Sequence, residues 1–356
     1  MHIVHVVGAR PNFMKAAPVL AALARDSRVR QTVVHTGQHY DANMSEVFFR
    51  QLEMPAPDLN LEVGSGSHAQ QTAEIITRLE PVVVERKPDL LLVYGDVNST
   101  MAAAIVCSKL QVRVGHVEAG LRSRDRSMPE EINRLITDQL ADLLFTPSED
   151  GDENLRREGI AGDRIHRVGN VMIDTLVRLL PRCGEHKPAG LPDRYALVTL
   201  HRPSNVDDLP WLGALLGALA GMSHELSVVF PIHPRTRQRM AALGPGRVPG
   251  GICLLEPQPY LSFLAMQKDA TMVISDSGGI QEETSFLGVP CLTVRENTER
   301  PITVTQGTNV LVGKDIARMR GEVRRILAGE RKCASAIPLW DGRAAERIAA
   351  VIGELI

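Results

Sequence analysis

The sequence predicts an α/β protein built from two doubly wound, parallel-sheet domains. Short apolar runs alternate with helical stretches along almost all of the 356 residues. The runs are mostly continuous rather than alternating, as expected for strands buried on both faces of a parallel sheet. A stretch rich in proline and glycine at 181–193 interrupts the alternation, which then restarts. Together with a length typical of two domains, this break indicates two separate sheets.

The first half of the chain carries strand-like runs that are followed by turn residues or by helical patterns. The predicted strands are 2–7, 32–36, 90–94, 112–117 and 143–146. Helices are predicted at 15–25, at about 99–110 and from Pro129 onwards, where apolar side chains recur on one face. No clear period is visible between Asn170 and Arg194, so we interpret 181–193 as an interdomain linker.

The second half repeats this organisation. Its predicted strands are 195–200, 227–232, 252–255, 271–275 and 291–294. We therefore assign 1–180 to an N-terminal Rossmann-like domain and 194–340 to a C-terminal one. The amphipathic stretch within 341–356 is expected to form a helix that crosses back to the first domain. Because doubly wound sheets bind ligands at the carboxyl ends of their strands, the expected site is a central cleft between the domains.

Composition excludes several classes of function. The formal net charge of −2 comes from 40 basic and 42 acidic side chains without a long single-sign run, and aromatic residues make up 4%. Neither a polyanion-binding face nor a stacking platform is therefore expected, so no nucleic-acid partner is predicted. Scattered cysteines without a Cys-x-x-Cys pair argue against disulfides or a zinc site, and no metal is predicted. With no leader-like or membrane-length apolar segment, a cytoplasmic protein without a membrane partner is expected.

Charged residues flank the turn after the first strand. The turn reads GARPNFMK, which matches neither the Gly-x-Gly-x-x-Gly dinucleotide fingerprint nor a P-loop. Arg10 and Lys15 instead lie on either side of a helix start, where they suit a diphosphate or a carboxylate. The alternative is that both are solvated surface cations. The same two interpretations apply to the loop residues Arg122, Arg124 and Arg126.

Carboxylates also follow predicted strands. Asp96 and Glu118 each come just after an apolar run, so both are expected in one crevice. Neighbouring carboxylates push their pKa values apart, which suits one acid and one base. The alternative for Asp96 is an N-cap of the next helix. Glu130 has an alternative role as well, because Ser127 and Glu130 have the spacing of a capping box.

The second domain offers histidines and a glycine-rich turn at its strand ends. His201 and His233 each follow a predicted strand, although His233 also fits a satisfied loop histidine. The segment SDSGGIQEE (275–283) runs from a strand through a Ser-Gly-Gly turn into a helix, where backbone N–H groups favour phosphate unless the glycines only ease packing. Glu283, one turn into that helix, suits two ribose hydroxyls, and Arg300 adds a cation in a proline-marked loop. These residues indicate a nucleoside diphosphate compound beside carboxylates and a histidine.

Several sequence blocks, taken in order, resemble those of one enzyme family. They are GARPNFMKAAP (8–18), GDVNST (95–100), VGHVEAGLRS (114–123), PEEINR (129–134), HR (201–202), SDSGGIQEE (275–283), LGVPCLTVRENTERP (287–301) and GTNVLVG (307–313). Over essentially its whole length the chain resembles the non-hydrolysing UDP-N-acetylglucosamine 2-epimerases. The resemblance implies a glycosyltransferase-B-like fold with a hinged cleft, usually in a homodimer, and no cofactor. It implies reversible C2 epimerisation of UDP-GlcNAc to UDP-ManNAc by elimination of UDP to 2-acetamidoglucal and re-addition.

The resemblance also implies roles for matching positions of this sequence. Asp96, Glu118 and Glu130 are the implied catalytic carboxylates, with acid and base roles unassigned, and His201 is the implied histidine near the diphosphate. For Glu130 this outweighs the capping interpretation, although the two are compatible. The implied contacts to the UDP-sugar are Arg10, Lys15, Ser277, Gly278, Gly279, Glu283 and Arg300, with a less specific uracil-binding match at Gln258 and Phe263.

Three positions depart from the pattern of many bacterial members. Asn12 stands where they have Glu, Pro203-Ser204-Asn205 follows the His-Arg pair in place of Arg-Glu-Asn, and 37–41 lacks an arginine after Gln-His. The arginine-rich positions belong in those members to a second UDP-GlcNAc site that activates the enzyme. We therefore expect such activation to be weak or absent.

Three other functions stay open. The departures also fit a 2-epimerase of a modified sugar such as UDP-2,3-diacetamido-2,3-dideoxyglucuronic acid. A glycosyltransferase on the same scaffold would need an acceptor and would not exchange the C2 hydrogen. An inactive nucleotide-sugar sensor is disfavoured, because all three carboxylates and His201 are present.

Overall fold

The computed structural model describes residues 1–37, 51–244, 250–332 and 334–356. Within these ranges the chain divides into two units, Met1–Val177 with Pro338–Ile356, and Arg178–Ile337. Each unit contains its own parallel β-sheet with helices between successive strands. The predicted class of two doubly wound α/β domains is therefore confirmed.

The first unit is organised around a sheet that has seven strands in the described part of the chain, all of them parallel. The spatial order is β3-β2-β1-β4-β5-β6-β7, which is a doubly wound order. Every side chain of β4 is buried, which explains why its sequence is uninterruptedly apolar. The strands are β1 His2–Val7, β2 Arg30–His35, β3 Leu59–Asn60, β4 Leu90–Tyr94, β5 Arg113–Val117, β6 Leu143–Thr146 and β7 Ile165–Arg167.

Helices connect these strands and cover the sheet. Apolar side chains of the strands and of the helices between them form one buried cluster, which includes Val93, Ala103 and Val114. The helices are α1 Arg10–Leu23, α2 His68–Arg86, α3 Asn98–Leu110, α4 Pro129–Leu140, α5 Glu149–Arg157 and α6 Val171–Cys183. The last of them begins in the first unit and ends in the second.

The C-terminal segment belongs to the first unit. Its helix, α14 Ala344–Gly353, packs against α1. The Asp174 carboxylate accepts hydrogen bonds of 3.0 and 2.6 Å from the first two backbone N–H groups of α14. Just upstream, the Trp340 indole N–H donates to the Pro147 carbonyl oxygen at 2.9 Å. These buried contacts tie the end of the chain to the unit that also contains its beginning.

The second unit repeats the architecture with six parallel strands in its described residues. The order is β10-β9-β8-β11-β12-β13, and the strands are β8 Tyr195–Thr199, β9 Ser227–Pro231, β10 Ile252–Leu255, β11 Met272–Ser275, β12 Cys291–Thr293 and β13 Asn309–Leu311. The helices are α7 Pro203–Val206, α8 Leu209–Met222, α9 Pro234–Ala242, α10 Tyr260–Asp269, α11 Gly278–Leu287, α12 Pro301–Thr305 and α13 Ile316–Leu327. Its core is an apolar cluster contributed by the strands together with α8 and α13.

In each sheet the strand order reverses next to the first strand of that unit. The reversal lies between β1 and β4 in the first unit and between β8 and β11 in the second. Ligands of doubly wound sheets bind outside the carboxyl ends of the strands at this point. The residues that directly follow these four strands are therefore the ones whose geometry matters most for function.

The prediction of an irregular stretch between 170 and 194 is wrong for its first part, because helix α6 occupies Val171–Cys183. Pro181 lies in the last turn of α6, where its missing N–H removes a single intrahelical hydrogen bond. The expected linker at 181–193 therefore starts inside a helix and continues into the 3-10 turn Gly184–His186. The pattern also gives no prediction for α2 or for β3, β7 and β13, and these strands have only two or three residues each.

Three further features concern only the described residues. Their helices include none that is long and apolar enough to cross a membrane. Their His, Cys, Asp and Glu side chains form no group of three or more arranged to hold a metal ion. Cys107, Cys183, Cys253 and Cys291 are free thiols, of which only Cys253 is exposed.

Candidate active site

Asn12 joins the ends of β1 and β4. Its side-chain oxygen accepts hydrogen bonds of 3.0 Å from the backbone N–H groups of Gly8 and Ala9. Its amide nitrogen donates to the Tyr94 carbonyl oxygen at 2.7 Å. Asn12, which stands where many bacterial members have Glu, is thus a buried structural residue that fixes the turn after β1. Arg10 is the first residue of α1, and its side chain lies outside the described part of the structure.

Lys15 and Glu118 form a buried ion pair, with 6% and 3% of their side chains exposed. The ammonium group donates directly to Glu118 Oε2. A Cβ on Gly95, whose φ is +64°, would lie 2.6 Å from Lys15 Nζ and 3.2 Å from Glu118 Oε2. The ion pair therefore packs against the Gly95 backbone, and the positive φ of Gly95 favours glycine at this position. For Lys15 the alternative of a solvated surface cation is wrong.

Glu118 is held in a strained backbone conformation. Its φ of 76° is in the left-handed region, which costs a non-glycine residue about 1–3 kcal/mol. The backbone N–H groups of Glu118 and Ala119 both donate to the Phe145 carbonyl oxygen at 3.1 Å, which holds this turn at the end of β5. Positive φ values also occur at other non-glycine residues, such as Lys87 and Gln111, so Glu118 is a functional candidate because its strain coincides with the buried ion pair.

Asp96 is the next residue after Gly95 and is partly exposed. Arg134 Nη1 lies 3.2 Å from Asp96 Oδ2, and the Asn133 amide donates to the Asp96 carbonyl oxygen at 2.9 Å. Helix α3 is preceded by Val97 as its N-cap, without a side-chain cap. The N-cap interpretation of Asp96 is therefore wrong, and its carboxylate is held by a cation from α4.

Glu130 lies half-buried on the first turn of α4. The N-cap residue of this helix is Met128, and no side chain caps it. Ser127 instead donates from its hydroxyl to Asp125 Oδ1 at 2.6 Å, so the hydroxyl is used in the preceding turn. The capping-box interpretation of Ser127 and Glu130 is therefore wrong, which leaves Glu130 available for another role.

A buried polar network beneath these carboxylates escapes sequence reasoning. His116 Nδ1 lies 2.6 Å from Asp138 Oδ1, while Asp138 Oδ2 faces Arg122 Nη1 at 2.8 Å. Arg122 also makes a bidentate pair with Glu158, at 2.8 and 2.6 Å. Burial opposes ionisation of Asp138, but His116 and Arg122 outweigh it and lower its pKa. Arg122 is thus neither solvated nor a cation that faces a ligand. The available signal in the sequence was a histidine among the apolar residues of 114–117.

Asp276 organises the corresponding strand ends of the second unit. The backbone N–H groups of His201 and Arg202 donate to Asp276 Oδ2 at 3.0 and 2.9 Å, and the Asn205 amide donates to it at 3.1 Å. His201 Nδ1 lies 3.0 Å from Asp276 Oδ1. Burial alone would raise the pKa of Asp276, but these hydrogen bonds and the charge of His201 lower it. Asp276 therefore fixes the direction of the candidate histidine.

His233 has a structural role at the start of α9. Its Nδ1 accepts a hydrogen bond of 3.2 Å from the Arg235 backbone N–H. Its ring centroid lies 5.7 Å from that of His201. Partial burial, His201 and Arg235 together lower the pKa of His233. The interpretation of His233 as a satisfied loop histidine is the one that the structure supports.

We expect Asp276→Asn to remove about 1.5–3 kcal/mol of stability near pH 7, the contribution of hydrogen bonds to a charged group. Folding lowers the pKa of Asp276 from its ordinary value of 3.8, so this stability is fully present above that pH. It is lost as the pH falls through the lower folded pKa. The unfolding free energies of variant and wild type, measured in denaturant from about pH 7 to pH 3, should therefore converge in acid. A difference that does not change with pH would contradict this role.

The glycine-rich turn of the second unit leads into α11 as expected. Ser277 is the N-cap residue without a side-chain cap, and Gly278 and Gly279 open the helix. A Cβ on Gly278 would lie 2.5 Å from Arg300 Nη1 and 2.7 Å from Glu299 Oε1. Gly278 is therefore needed for close packing, while a phosphate role for these N–H groups stays a prediction.

Arg300 belongs to a buried ion-pair cluster. Its Nε lies 2.7 Å from Glu282, and its Nη1 pairs with Glu299. Glu299 also faces Arg295 at 2.7 Å and Arg202 at 3.7 Å. Burial opposes ionisation of Glu299, but Arg300, Arg295 and Arg202 hold its pKa well below the usual range. The loop at 295–300 is thereby tied to the beginning of α11.

The residues expected to contact the ribose and the base lie on α10, on α11 and just before α10. Glu283 is buried and accepts a hydrogen bond of 2.8 Å from the Tyr260 hydroxyl. Gln258 donates to the Glu256 carbonyl oxygen at 2.8 Å, and half-buried Phe263 packs beside an apolar cluster. Sequence reasoning did not single out Tyr260, which fixes the direction of Glu283.

The structure thus groups the candidate residues into two sets, one in each unit. In the first unit Lys15 and Glu118 meet against Gly95, and Asp96 is the next residue in the same turn. In the second unit, Gly278 and Arg300 are in contact, while His201 is held by Asp276, the residue two before Gly278. The segment 38–41, on which part of the expectation about activation rests, lies outside the described residues.

Comparison with known proteins decides the family. A family model described as UDP-N-acetylglucosamine 2-epimerase matches residues 21–353. The chain belongs to this family. The predicted family is confirmed, and membership places the chain among enzymes of the isomerase class.

Relatives of this 2-epimerase family match the chain almost end to end. The chain is 38% identical over 359 residues to a UDP-N-acetylglucosamine 2-epimerase of Methanococcus maripaludis, covering 98% of this chain and 97% of the relative. It is 43% identical over 318 residues to the UDP-2,3-diacetamido-2,3-dideoxy-D-glucuronate 2-epimerase of Pseudomonas aeruginosa, covering 88% of each.

A crystal structure supports the same family. The Methanocaldococcus jannaschii UDP-GlcNAc 2-epimerase, solved in complex with UDP-GlcNAc and UDP, has a TM-score of 0.88 and 37% identity. The match covers 99% of this chain and 100% of that one. The solved relatives share the glycosyltransferase-B-like fold that the resemblance implied.

Proposed function

We propose that this protein interconverts UDP-N-acetylglucosamine and UDP-N-acetylmannosamine by inverting C2 of the sugar. The observation that carries the proposal is the buried Lys15–Glu118 pair, which lies against the Gly95–Asp96 turn at the strand-order reversal of the first sheet. A carboxylate buried with its own cation and directed by a strained backbone suits proton transfer in a site shielded from water. Family membership supplies the UDP-sugar as the substrate class.

The proposed reaction balances without an oxidant or reductant. The C2 hydrogen is not next to a carbonyl group, so its simple removal would leave an unstabilised carbanion. A carboxylate instead takes the C2 proton while the C1–O bond to the diphosphate breaks. The C2–H electron pair becomes the C1=C2 double bond of 2-acetamidoglucal, and UDP carries away the electrons of the broken bond. Return of UDP to C1, with protonation of C2 on the opposite face, gives the epimer.

The first unit would supply the proton-transfer groups. We assign this chemistry to Glu118, Asp96 and Glu130, without assigning an acid or a base role to each. Lys15 keeps the direction of the Glu118 carboxylate fixed before substrate arrives. Arg134 does the same for Asp96, whereas Glu130 is positioned only by the first turn of α4.

The second unit would hold UDP. The start of α11 offers backbone N–H groups to the diphosphate, with the Arg300 guanidinium and the His201 imidazole beside it. Glu283, fixed by Tyr260, would accept hydrogen bonds from the ribose. In this unit the proposed contacts to the UDP-sugar are Gln258, Phe263, Ser277, Gly278, Gly279, Glu283 and Arg300. Arg10 and Lys15 of the first unit are proposed to contact the UDP-sugar as well.

A second candidate substrate is favoured by one observation. The Pseudomonas relative named for the diacetamido-dideoxy-glucuronate substrate is 43% identical to this chain over 318 residues, which equals the 43% over 325 residues of a Methanococcus UDP-N-acetylglucosamine 2-epimerase homolog. Both names describe the same inversion at C2, so the proposed chemistry is common to them. They differ in the groups at C3 and C6 of the sugar.

A substrate panel separates these candidates. Purified protein is incubated with UDP-GlcNAc and with UDP-2,3-diacetamido-2,3-dideoxyglucuronic acid in parallel, and the products are identified by proton NMR. We expect UDP-ManNAc from the first and a much smaller kcat/KM for the second. The reverse preference would identify the diacetamido sugar as the substrate. Transfer of the sugar to an added acceptor, without formation of any epimer, would refute the proposal that the protein is an epimerase.

We expect Gly278→Ala to weaken UDP binding by about tenfold, or about 1.4 kcal/mol. The added Cβ would push Arg300 and Glu299 away from the start of α11, where the diphosphate is proposed to bind. Isothermal titration with UDP measures the effect. Gly217→Ala on α8, whose Cβ would meet open space, is the matched control and should bind UDP normally. Normal UDP affinity in Gly278→Ala would refute this placement of the diphosphate.

A homodimer and a cytoplasmic location complete the proposal. Both follow from the family resemblance and from the composition of the sequence rather than from the described contacts. Sedimentation of the purified protein across a tenfold concentration range should give the mass of a dimer, and a monomer throughout would refute that part.

A further inference from the structure

We propose that His116 is a positioning residue for the candidate carboxylates, held as an imidazolium that fixes the Gly95–Asp96 turn beside Glu118. The inference deepens the proposed function and rests on it, because it names the group that sets the orientation of Asp96. His116 lies at the end of β5, two residues before Glu118, and its side chain is completely buried.

His116 bridges two acceptors in the first unit. Nδ1 lies 2.6 Å from Asp138 Oδ1 on α4. Nε2 lies 2.8 Å from the Gly95 carbonyl oxygen, just after β4. The imidazole ring, which belongs to β5, therefore joins the turn after β4 to helix α4. The same helix carries Asn133 and Arg134, both of which contact Asp96.

The nature of these two partners fixes the hydrogens on the ring. The Gly95 carbonyl oxygen can only accept, so Nε2 must carry a hydrogen. Asp138 Oδ2 already faces Arg122 Nη1 at 2.8 Å and accepts from the Gly120 backbone N–H at 3.1 Å, as expected of an ionised carboxylate. Asp138 Oδ1 is then an acceptor as well, so Nδ1 must also donate. Both ring nitrogens donate only in the imidazolium form.

The charges around the ring support this form. Arg122 pairs with Glu158, and His116 pairs with Asp138, so an imidazolium makes the four side chains neutral as a set. A neutral ring would leave Arg122 as the one cation facing both Glu158, which is 24% exposed, and the fully buried Asp138, so part of the Asp138 charge would be uncompensated where water does not reach it. The other charged groups near this turn are the Lys15–Glu118 pair and Arg134, which faces both Asp96 and the buried Glu131. Glu131 also accepts hydrogen bonds from the backbone N–H groups of Ser123 and Arg124.

The Gly95 peptide is the part of the site that His116 holds. The Gly95 N–H donates to the Val117 carbonyl oxygen at 3.0 Å, while the Gly95 carbonyl oxygen accepts from His116. The turn is thus fixed on both sides by β5, the strand that leads directly to Glu118. Because the Lys15–Glu118 pair packs on Gly95, a small rotation of this peptide would move both candidate carboxylates. A misplacement of about 1 Å in an active site can cost on the order of 100-fold in rate.

Two amide substitutions separate the two contacts of the ring. The amide of His116→Gln reaches the Gly95 oxygen in place of Nε2, whereas the shorter amide of His116→Asn reaches Asp138 in place of Nδ1. We expect kcat for UDP-GlcNAc to fall about 100-fold in His116→Asn and by less than about tenfold in His116→Gln. KM and the Kd for UDP should stay within about threefold in both variants. His166→Gln, a half-buried histidine of β7 in the same unit, is the control and should keep wild-type kinetics.

Equal losses of kcat, or a larger loss in His116→Gln, would overturn the positioning role, as would a change confined to KM. A direct measurement on the wild-type protein covers the case in which a variant does not fold. In nitrogen-15 NMR at about pH 7, with His116→Gln or Asp138→Asn used for assignment, both ring nitrogens of His116 should carry hydrogen. A bare nitrogen would overturn the imidazolium. A wild-type protein that turns over no UDP-sugar would refute the proposed function alone, and the ring-nitrogen measurement would still support or overturn the imidazolium clamp.

Discussion

Glu118→Gln should lower kcat for UDP-GlcNAc by about 1,000-fold and leave the Kd for UDP within about threefold. A positioned proton-transfer group contributes roughly 100- to 10,000-fold to rate, and the amide cannot take up the C2 proton. Glutamine keeps the size of the side chain and an oxygen for Lys15, so the local packing should survive. Binding of UDP depends mainly on the second unit in the proposed site. Steady-state kinetics and isothermal titration with UDP measure the two quantities separately.

A matched substitution tests whether this loss is specific. Glu80→Gln changes an exposed glutamate on α2 in the same unit and should retain wild-type kcat. If Glu118→Gln keeps full activity, Glu118 has no part in the proton transfer. If it loses UDP affinity as strongly as kcat, the pair with Lys15 serves binding, and the proposed division of roles between the units is wrong.

Asp138→Ala should destabilise the protein by about 3–5 kcal/mol. The substitution leaves His116 and part of Arg122 buried without their counter-charge, and breaking a buried ion pair from one side has this cost. It also removes the acceptor of the Gly120 backbone N–H. Denaturant unfolding at neutral pH, followed for the transition of the first unit, measures the change in free energy of unfolding.

Glu158→Ala provides the comparison. Glu158 contacts Arg122 as well, but 24% of its side chain is exposed, so water can replace part of the interaction. We expect a loss of about 1 kcal/mol, in the range of exposed ion pairs. A cost for Asp138→Ala below that of Glu158→Ala would show that the buried network is not held together by Asp138.

The fold was predictable because burial on both faces of a parallel strand leaves a direct mark on the sequence. The continuous apolar run at 90–94 coincides with β4, and 143–146 coincides with β6. The turns after β1, β4, β8 and β11 then contain the residues of greatest interest, because strand ends in doubly wound sheets face ligands. Strands of two or three residues, such as Leu59–Asn60, are too short to show a period and were therefore not predictable.

The pairing of side chains in the candidate site was not predictable in the same way. Lys15 and Glu118 are 103 positions apart in sequence, and nothing local indicates that they meet. Asp96 looked like a helix cap because its spacing to α3 is that of a cap, but the structure gives it a cation from α4 instead. His116 lies within the buried, otherwise apolar part of β5 at 114–117. Which buried charges neutralise one another depends on the three-dimensional arrangement of strand ends, which a local pattern does not contain.

Proton NMR of the wild-type protein with UDP-GlcNAc in deuterated water tests the proposed C2 chemistry most directly. Removal of the C2 proton by a carboxylate that exchanges with water should place deuterium at C2 as UDP-ManNAc forms. We expect the C2 proton signal to disappear from the product and, with longer incubation, from the remaining UDP-GlcNAc. Formation of UDP-ManNAc that retains its C2 proton would contradict proton transfer through exchangeable carboxylates. If the C2 proton signal persists and no UDP-ManNAc forms, the protein is not an epimerase of this sugar.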